Sequence, residues 1–188
     1  PYQVRYLHGA PQGLTILSTF PIIERATIAD DAPERETPPL AWGRLDLGQG
    51  RALVVAAAHP RNPTRDGCSP RRLCYDPAGR DAQVARIRAI IDPFLARGEP
   101  LLLAGDFNLT DREVAYAAAS RGLWDAHRAV GSGTGNTWRP FALADGGLPL
   151  LRIDYLFGSP GVQPVRLARD CTARGSDHCA LIGQIAVR

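Results

Sequence analysis

Leu101-Leu102-Leu103-Ala104-Gly105-Asp106-Phe107-Asn108 is the stretch on which the fold turns. Four apolar residues in succession, with Gly98 and Pro100 just before them, predict a short strand covered on both faces. Gly105 allows the backbone to bend where the strand leaves the sheet. Alternation along an extended segment puts Asp106 and Asn108 on one side, so a carboxylate and an amide converge while Phe107 turns back into the core. Gly, Asp and Asn are also ordinary turn formers, and by themselves the three residues read equally well as the end of a strand.

Working outward, Gly13–Ser18 and Arg51–Ala58 read as strands, the second buried and ending at His59-Pro60. Leu40 to Leu47 alternates ambiguously but makes a hairpin with Arg51–Ala58 through Gly48-Gln49-Gly50. Pro1 to Gly9 reads as a loop or an edge strand, and Asp30 to Pro39 as a solvated turn. Asp76-Pro77 opens a helix on which Val84, Ile87, Ile90, Ile91, Phe94 and Leu95 recur at helical spacing as far as Arg97. It is expected to cover the sheet, with Arg80 and Gln83 on its solvated face. Thr110-Asp111-Arg112-Glu113 has the form of a capping box and starts a second helix through about Ala119. Ile153–Phe157 and Val162–Leu167 are strands around Gly158-Ser159-Pro160-Gly161, and a last strand alternates from Cys179 through Leu181, Gly183, Ile185 and Val187. Strands mixed with helices make this an α/β chain without internal repeats.

The 188 residues suit one domain with a real core. The 45% hydrophobic and 22% charged fractions are those of a globular protein. No apolar run is long enough to cross a bilayer as a helix. The net charge of +3 does not by itself argue for nucleic acid, although all 22 basic residues are Arg, which contacts phosphate in bidentate fashion. The same excess follows from coding bias. With no Met in the chain and Pro1 first, residues are expected upstream. Cys68 and Cys74 flank a polar loop with nothing to hold it closed, so they are read as disulfide-bonded, which goes with an extracytoplasmic or secreted protein rather than a cytoplasmic one. Cys171 and Cys179 read either as a pair or as small core residues.

Two further stretches give the central one a chemical context: Arg152-Ile153-Asp154-Tyr155-Leu156-Phe157, and Ser176-Asp177-His178 ahead of the last strand. Gly-Asp-Phe-Asn, Arg-Ile-Asp-Tyr and Ser-Asp-His in this order resemble the endonuclease/exonuclease/phosphatase (DNase I-like) superfamily, from about Gly13 onward. The resemblance implies a two-layer β-sandwich flanked by helices, in the DNase I-like four-layer α/β/β/α arrangement, as a single domain spanning 1–188. It also implies a Mg²⁺-dependent hydrolase, with Mn²⁺ as a substitute, in which water attacks a phosphodiester, as in a nuclease or lipid phosphodiesterase, or a phosphomonoester. Partners are then the phosphate ester itself, on nucleic acid or a phospholipid headgroup; no stable protein partner is implied.

By the same resemblance, Asp106 orients or deprotonates the attacking water and Asn108 holds the water and the phosphate. Asp154 fixes the tautomer of His178, which stabilises the transferring phosphoryl group. His59, at the end of its strand, contacts the scissile phosphate or donates a proton. Asp177 and Asp106 face the metal; a hard cation calls for such oxygen ligands. Adjacent Asp177 and His178 can both point inward only if a turn at Gly175-Ser176 reorients them. Phe20-Pro21-Ile22 resembles a structural segment of the family, Arg80 and Gln83 resemble its Arg and Gln at the same helix start although a solvated face is their default reading, and Leu123-Trp124-Asp125-Ala126 resembles the segment before a Thr137-Trp138 strand. From its length the loop Arg61 to Tyr75 is expected to rim the site, and Arg139 to Pro149 reads as a substrate-side loop.

The family's Gln-Glu metal motif and the Asn of its first strand would precede Gly13, and neither is among these residues. The expectation is therefore of an N-terminally truncated domain with weakened metal binding and activity, or of a binding module that kept the scaffold and lost the metal.

Overall fold

The computed structural model describes residues 1–7, 13–28, 40–63, 75–140, 147–172 and 175–188. Cys68, Cys74, most of the Arg61 to Tyr75 loop, the turn at 30–39 and part of the Arg139 to Pro149 loop lie outside them.

Ten strands and three helices are described: β1 (Tyr2–Leu7), β2 (Gly13–Ser18), β3 (Ile22–Ile28), β4 (Leu40–Gly48), β5 (Arg51–Ala58), α1 (Ala78–Ala96), β6 (Leu101–Asp106), α2 (Val114–Ala119), β7 (Trp124–Asp125), α3 (Ala126–Val130), β8 (Asp154–Gly158), β9 (Val162–Asp170) and β10 (Ala180–Val187). Six strands form a central sheet in the order β3-β4-β5-β6-β8-β7, and β1-β2 and β9-β10 form two separate antiparallel pairs. In the sheet β5 and β6 run parallel, joined through α1, while β8 returns antiparallel beside β6.

The alternation along the central strands sorts their side chains into two cores. Val54, Ala56 and Ala58 of β5, Leu101 and Leu103 of β6, and Tyr155 and Phe157 of β8 meet Val84, Ile87, Ile91 and Phe94 of α1 and Ala115, Tyr116 and Ala119 of α2. On the other face the β1-β2 pair packs Val4, Leu14 and Ile16 against Ala41, with Val55 and Ala57 of β5 beside them. Val162, with Ile185 and Val187 alongside, packs on Leu45 and Leu53 of the sheet. The two strand pairs thus form the second β layer, with α1 and α2 outside the first. Being covered on both faces is why Leu101–Ala104 is uniformly apolar.

Four local expectations change. Ile22–Ile28, where only a Pro-containing segment is legible, is the edge strand β3. Trp138 forms isolated bridges to Leu151 and His178 rather than a strand. The α2 helix begins only at Val114; Glu113 Oε1 does accept from Thr110 N at 2.6 Å, the return half of a capping box, but over a turn rather than a helix. Arg80 and Gln83, expected in solvent, are 1% and 6% exposed. Pro1 to Gly9 resolves, over Tyr2–Leu7, as a strand paired along its length with β2.

Candidate active site

Because β5 and β6 are parallel and β8 antiparallel to them, the C-terminal ends of the first two and the start of the third share one pole of the sheet. His59 follows β5, Asp106 ends β6 and Asp154 begins β8. Asp106 and Asp154 are direct cross-strand partners, so two carboxylates stand side by side where like charges repel. Gly105 is needed here: its φ is 150°, and a Cβ at that position would lie 1.8 Å from Ala58 O on β5. β6 can lie this close to β5 only without a side chain.

Asp106 Oδ2 is the focus of the site. His59 Nε2 is 3.6 Å from it and His178 Nε2 is 3.9 Å from it. The far side of the His178 ring is fixed, Nδ1 lying 2.8 Å from Asp154 Oδ2. Asp106 Oδ1 accepts from the backbone N–H of Asn108 at 2.8 Å, and Asn108 Nδ2 donates to Pro60 O at 2.9 Å. Asp106 and Asn108 therefore meet, but not by strand alternation. The strand ends at Asp106, and Asn108 sits in the left-handed region at φ 50°, a conformation that Asn tolerates better than most residues.

Asp177 and His178 are turned inward by Gly175, whose φ is 80°, with Ser176 Oγ accepting from His178 N at 3.1 Å. Trp138 Nε1 donates to Asp177 Oδ2 at 3.0 Å. Asp106, Asp154 and His178 offer ligand atoms that all lie within 4.8 Å of one another. Of the two carboxylates assigned to a cation, Asp106 is in this group and Asp177 is outside it, held by the indole.

Burial and the neighbouring Asp154 carboxylate push Asp106 up to about 7, against the pull of the Asn108 N–H and of His178. Burial disfavours charge on His178 as well, but the hydrogen bond to Asp154 and the charges of Asp154, Asp106 and Asp177 outweigh it, leaving its pKa raised. His59 goes the other way: burial on its inner side and the nearby His178 lower its pKa, although 45% of the side chain remains open to solvent. One imidazole thus has its pKa raised and the other lowered, both close to a carboxyl pushed up to about 7.

A layer of buried polar residues supports these groups, and most of it escapes sequence reading. Arg80 donates to Asn108 O at 2.8 Å and pairs with Asp81 and Glu113. Gln83 Oε1 accepts from Arg61 N at 2.7 Å, steadying the chain just after His59-Pro60. Tyr155 Oη donates to Leu109 O and lies 2.9 Å from Arg152 O, tying the Asn108 loop to the start of β8. Arg152 pairs with Asp111 and Asp125. A signal for Arg80 and Gln83 existed: positions 80, 83, 84, 87, 88 and 91 share one helical phase, the phase of the buried stripe.

The six residues expected at the site, His59, Asp106, Asn108, Asp154, Asp177 and His178, all come to this one pole. A sequence profile of the Endonuclease/Exonuclease/phosphatase family matches residues 2–178. No curated protein sequence matches the chain. Among solved structures, a functionally unknown conserved protein from Enterococcus faecalis V583 is similar at 21% identity and TM-score 0.76, over 100% of this chain and 77% of that one. The human nocturnin catalytic domain with bound sulfate is similar at 19% identity and TM-score 0.69, over 100% and 72%. The Bacteroides thetaiotaomicron mannosyl-6-phosphatase is similar at 18% identity and TM-score 0.64, over 89% and 67%. At these identities the structural likeness is one of fold, and that fold is DNase I-like; with the profile match along nearly its whole length, the chain belongs to the endonuclease/exonuclease/phosphatase family, whose members are hydrolases of phosphoesters.

Proposed function

We propose that this chain hydrolyses a phosphate ester by direct attack of water, with a divalent cation, and that the bond broken is a phosphodiester of nucleic acid or lipid type or a phosphomonoester. The observation that carries the reading is the approach of the Nε2 atoms of both His59 and His178 to Asp106 Oδ2, at 3.6 and 3.9 Å. Both separations exceed a direct hydrogen bond, so an oxygen atom of water or phosphate can be shared between the carboxylate and the rings.

In this reading Asp106 orients the water and takes its proton. Burial and Asp154 push the carboxyl up to about 7 in the cation-free site, and a cation bound beside it would favour the ionised form that can accept the proton of the water. Asn108, fixed by its bond to Pro60, presents its amide to the water and a phosphoryl oxygen. His178, whose charged form is favoured by Asp154, would place positive charge where negative charge grows on the phosphoryl oxygens. His59, favouring its neutral form, donates a hydrogen bond to the same group.

The donor set suits a hard cation such as Mg²⁺ or Mn²⁺, two carboxylates with one imidazole beside them. Asp106 and Asp154 would hold it, and Asp177 adds charge from its place beside Trp138. Such an ion supplies charge neutralisation at the phosphoryl oxygens. A monoester stays within the proposal because the fold also serves a protein called a mannosyl-6-phosphatase.

The test is hydrolysis of bis(p-nitrophenyl) phosphate and p-nitrophenyl phosphate with Mg²⁺ or Mn²⁺ varied. Metal-dependent release of nitrophenol from either is expected, and Asp106→Asn should lower kcat at least about a hundredfold. A variant as active as the wild type would remove Asp106 from the base role.

A further inference from the structure

The turn that carries Asp177 and His178 is held from behind by groups that take no part in this chemistry. Cys171, just past β9, and Cys179, the residue after His178, form a disulfide with a sequence separation of 8 that encloses the turn. Arg139, 2% exposed, grips both ends of the bridge. Its Nη2 donates to Cys171 O at 2.9 Å and lies 3.9 Å from Cys179 Sγ, and its backbone N–H donates to Asp177 O at 3.0 Å. Cys179 N donates to Thr137 O at 2.7 Å. Thr137 Oγ1 in turn accepts from the backbone N–H groups of Ile153 and Asp154, at 3.4 and 3.3 Å. Covalent and hydrogen bonds therefore run without a break from the disulfide to both members of the His178–Asp154 pair. Gly175 and Ser176, on the other side of the turn, are exposed, whereas Cys179 is buried at 3%. The anchorage is thus concentrated at the disulfide end.

We propose that the Cys171–Cys179 disulfide is a positioning device for His178, so that turnover requires the bridge to be oxidised. The inference rests on the proposed role of His178 at the phosphoryl group. Opening the bridge needs an external thiol reductant, a dithiol or two molecules of a glutathione-type monothiol. A thiolate attacks Cys171 Sγ, the partly exposed end, and the S–S electron pair leaves on Cys179 Sγ. A second thiolate resolves the mixed disulfide. In sum two electrons and two protons pass from the reductant, which leaves as a disulfide, and two cysteine thiols remain. The ends of the turn are then held only by the β9–β10 pairing at Asp170 and Ala180 and by the hydrogen bonds of Arg139 and Thr137, so the turn loosens and His178 Nδ1 loses its set distance from Asp154. A displacement of about 1 Å at such a group lowers a rate on the order of a hundredfold.

The experiment compares the wild type with Cys171→Ser/Cys179→Ser, without reductant, by kinetics on bis(p-nitrophenyl) phosphate and by amide hydrogen exchange. Expected is a fall in kcat of at least about tenfold with KM changed by less than about threefold, since the group lost acts on the transition state. Exchange at the amides of Arg139 and Cys179 should quicken at least about tenfold, with Leu103 and Tyr155 unchanged. A folded double variant with wild-type kcat and wild-type exchange overturns the proposal. If the variant fails to fold, reduction of the otherwise intact protein by dithiothreitol, in a Cys68→Ser/Cys74→Ser background, gives the same comparison, with kcat returning on reoxidation. If the wild type hydrolyses no ester, the catalytic reading falls separately, and exchange alone decides the clamp: unchanged protection at Arg139 and Cys179 refutes it.

Discussion

Two charged clusters lie within a few residues of each other, and they are built on opposite terms. In one, Arg152 bridges Asp111 and Asp125 at 2.8 and 2.7 Å and lies over the Tyr155 ring at 4.7 Å. Burial there is offset: Arg152 is held more firmly protonated and Asp111 more firmly ionised than either would be in water. In the other, Asp106 faces Asp154 across the sheet, and its carboxyl is pushed up to about 7. Both clusters are half-buried or better, so burial does not distinguish them. Compensation does. The Arg152 cluster sets its charges against one another and holds the start of β8 in place; the Asp106 cluster leaves charge less fully compensated at the pole of the sheet, as functional sites commonly do.

On that contrast, the largest effect on folding comes from the compensated cluster. Arg152→Met keeps much of the volume but leaves Asp125, 4% exposed at its side chain, as a buried carboxylate with its cation gone. Removing one partner of a buried pair costs about 3 to 5 kcal/mol. Urea denaturation should show a loss of that size. A loss under about 1 kcal/mol would mean that the two clusters do not differ in the way argued.

The uncompensated cluster should respond in the opposite sense. The folded-state pKa of Asp106 is raised, so between its unfolded value and about 7 the native protein holds a proton that the unfolded chain has released. Its contribution to stability is complete below the unfolded pKa and is lost as pH rises through the folded one. Asp106→Asn abolishes that loss together with the repulsion from Asp154. In a chelator, at pH 8, the variant should be more stable than the wild type by at least about 1 kcal/mol, with the two converging near pH 4. Equal stability at both pH values would count against strain at this pair.

The two clusters were not equally legible in the sequence. The pole of the sheet could be read because Leu101–Ala104 and Arg51–Ala58 are apolar runs that stop abruptly at Asp106 and His59, and a strand end localises whatever follows it. The second carboxylate and His178 are legible only through the order of the motifs that carry them. What stayed hidden depends on the third dimension. Arg80 looked like a first-turn surface residue until packing placed its phase of α1 against the Asn108 loop. Trp138 meets Asp177 across 39 positions of chain, a separation no local pattern encodes. The edge strand β3 carries Glu24 and Arg25 and is mostly exposed, so it has no clean alternation to betray it. Strand alternation predicts Asn108 beside Asp106, but a left-handed turn is what brings them together. For Cys171 and Cys179 burial and pairing leave the same mark in sequence, and only the geometry chooses between them.

The smallest effect is also the one that separates the clusters by sign. Asp111 carries a folded-state pKa below its ordinary value: burial alone would raise it, but the hydrogen bonds and charges of Arg152 and Arg128 prevail. A depressed carboxylate contributes stability that is present above its unfolded pKa and lost as pH falls through its folded one, the reverse of Asp106. Its side chain is 33% exposed, and solvent screening keeps the contribution of such a pair to about 1 kcal/mol or less. Asp111→Asn should therefore lower stability by no more than about that at pH 7 and by nothing measurable below about pH 3, where the wild-type carboxylate is losing its charge as well. Stability measured from pH 3 to pH 8 on the wild type and the two aspartate variants thus has two expected features, an acid limb that only Asp111→Asn flattens and a neutral limb that only Asp106→Asn flattens. One variant flattening both limbs would show that the clusters titrate as a single network through β8, and the distinction between a compensated and an uncompensated group of charges would fail.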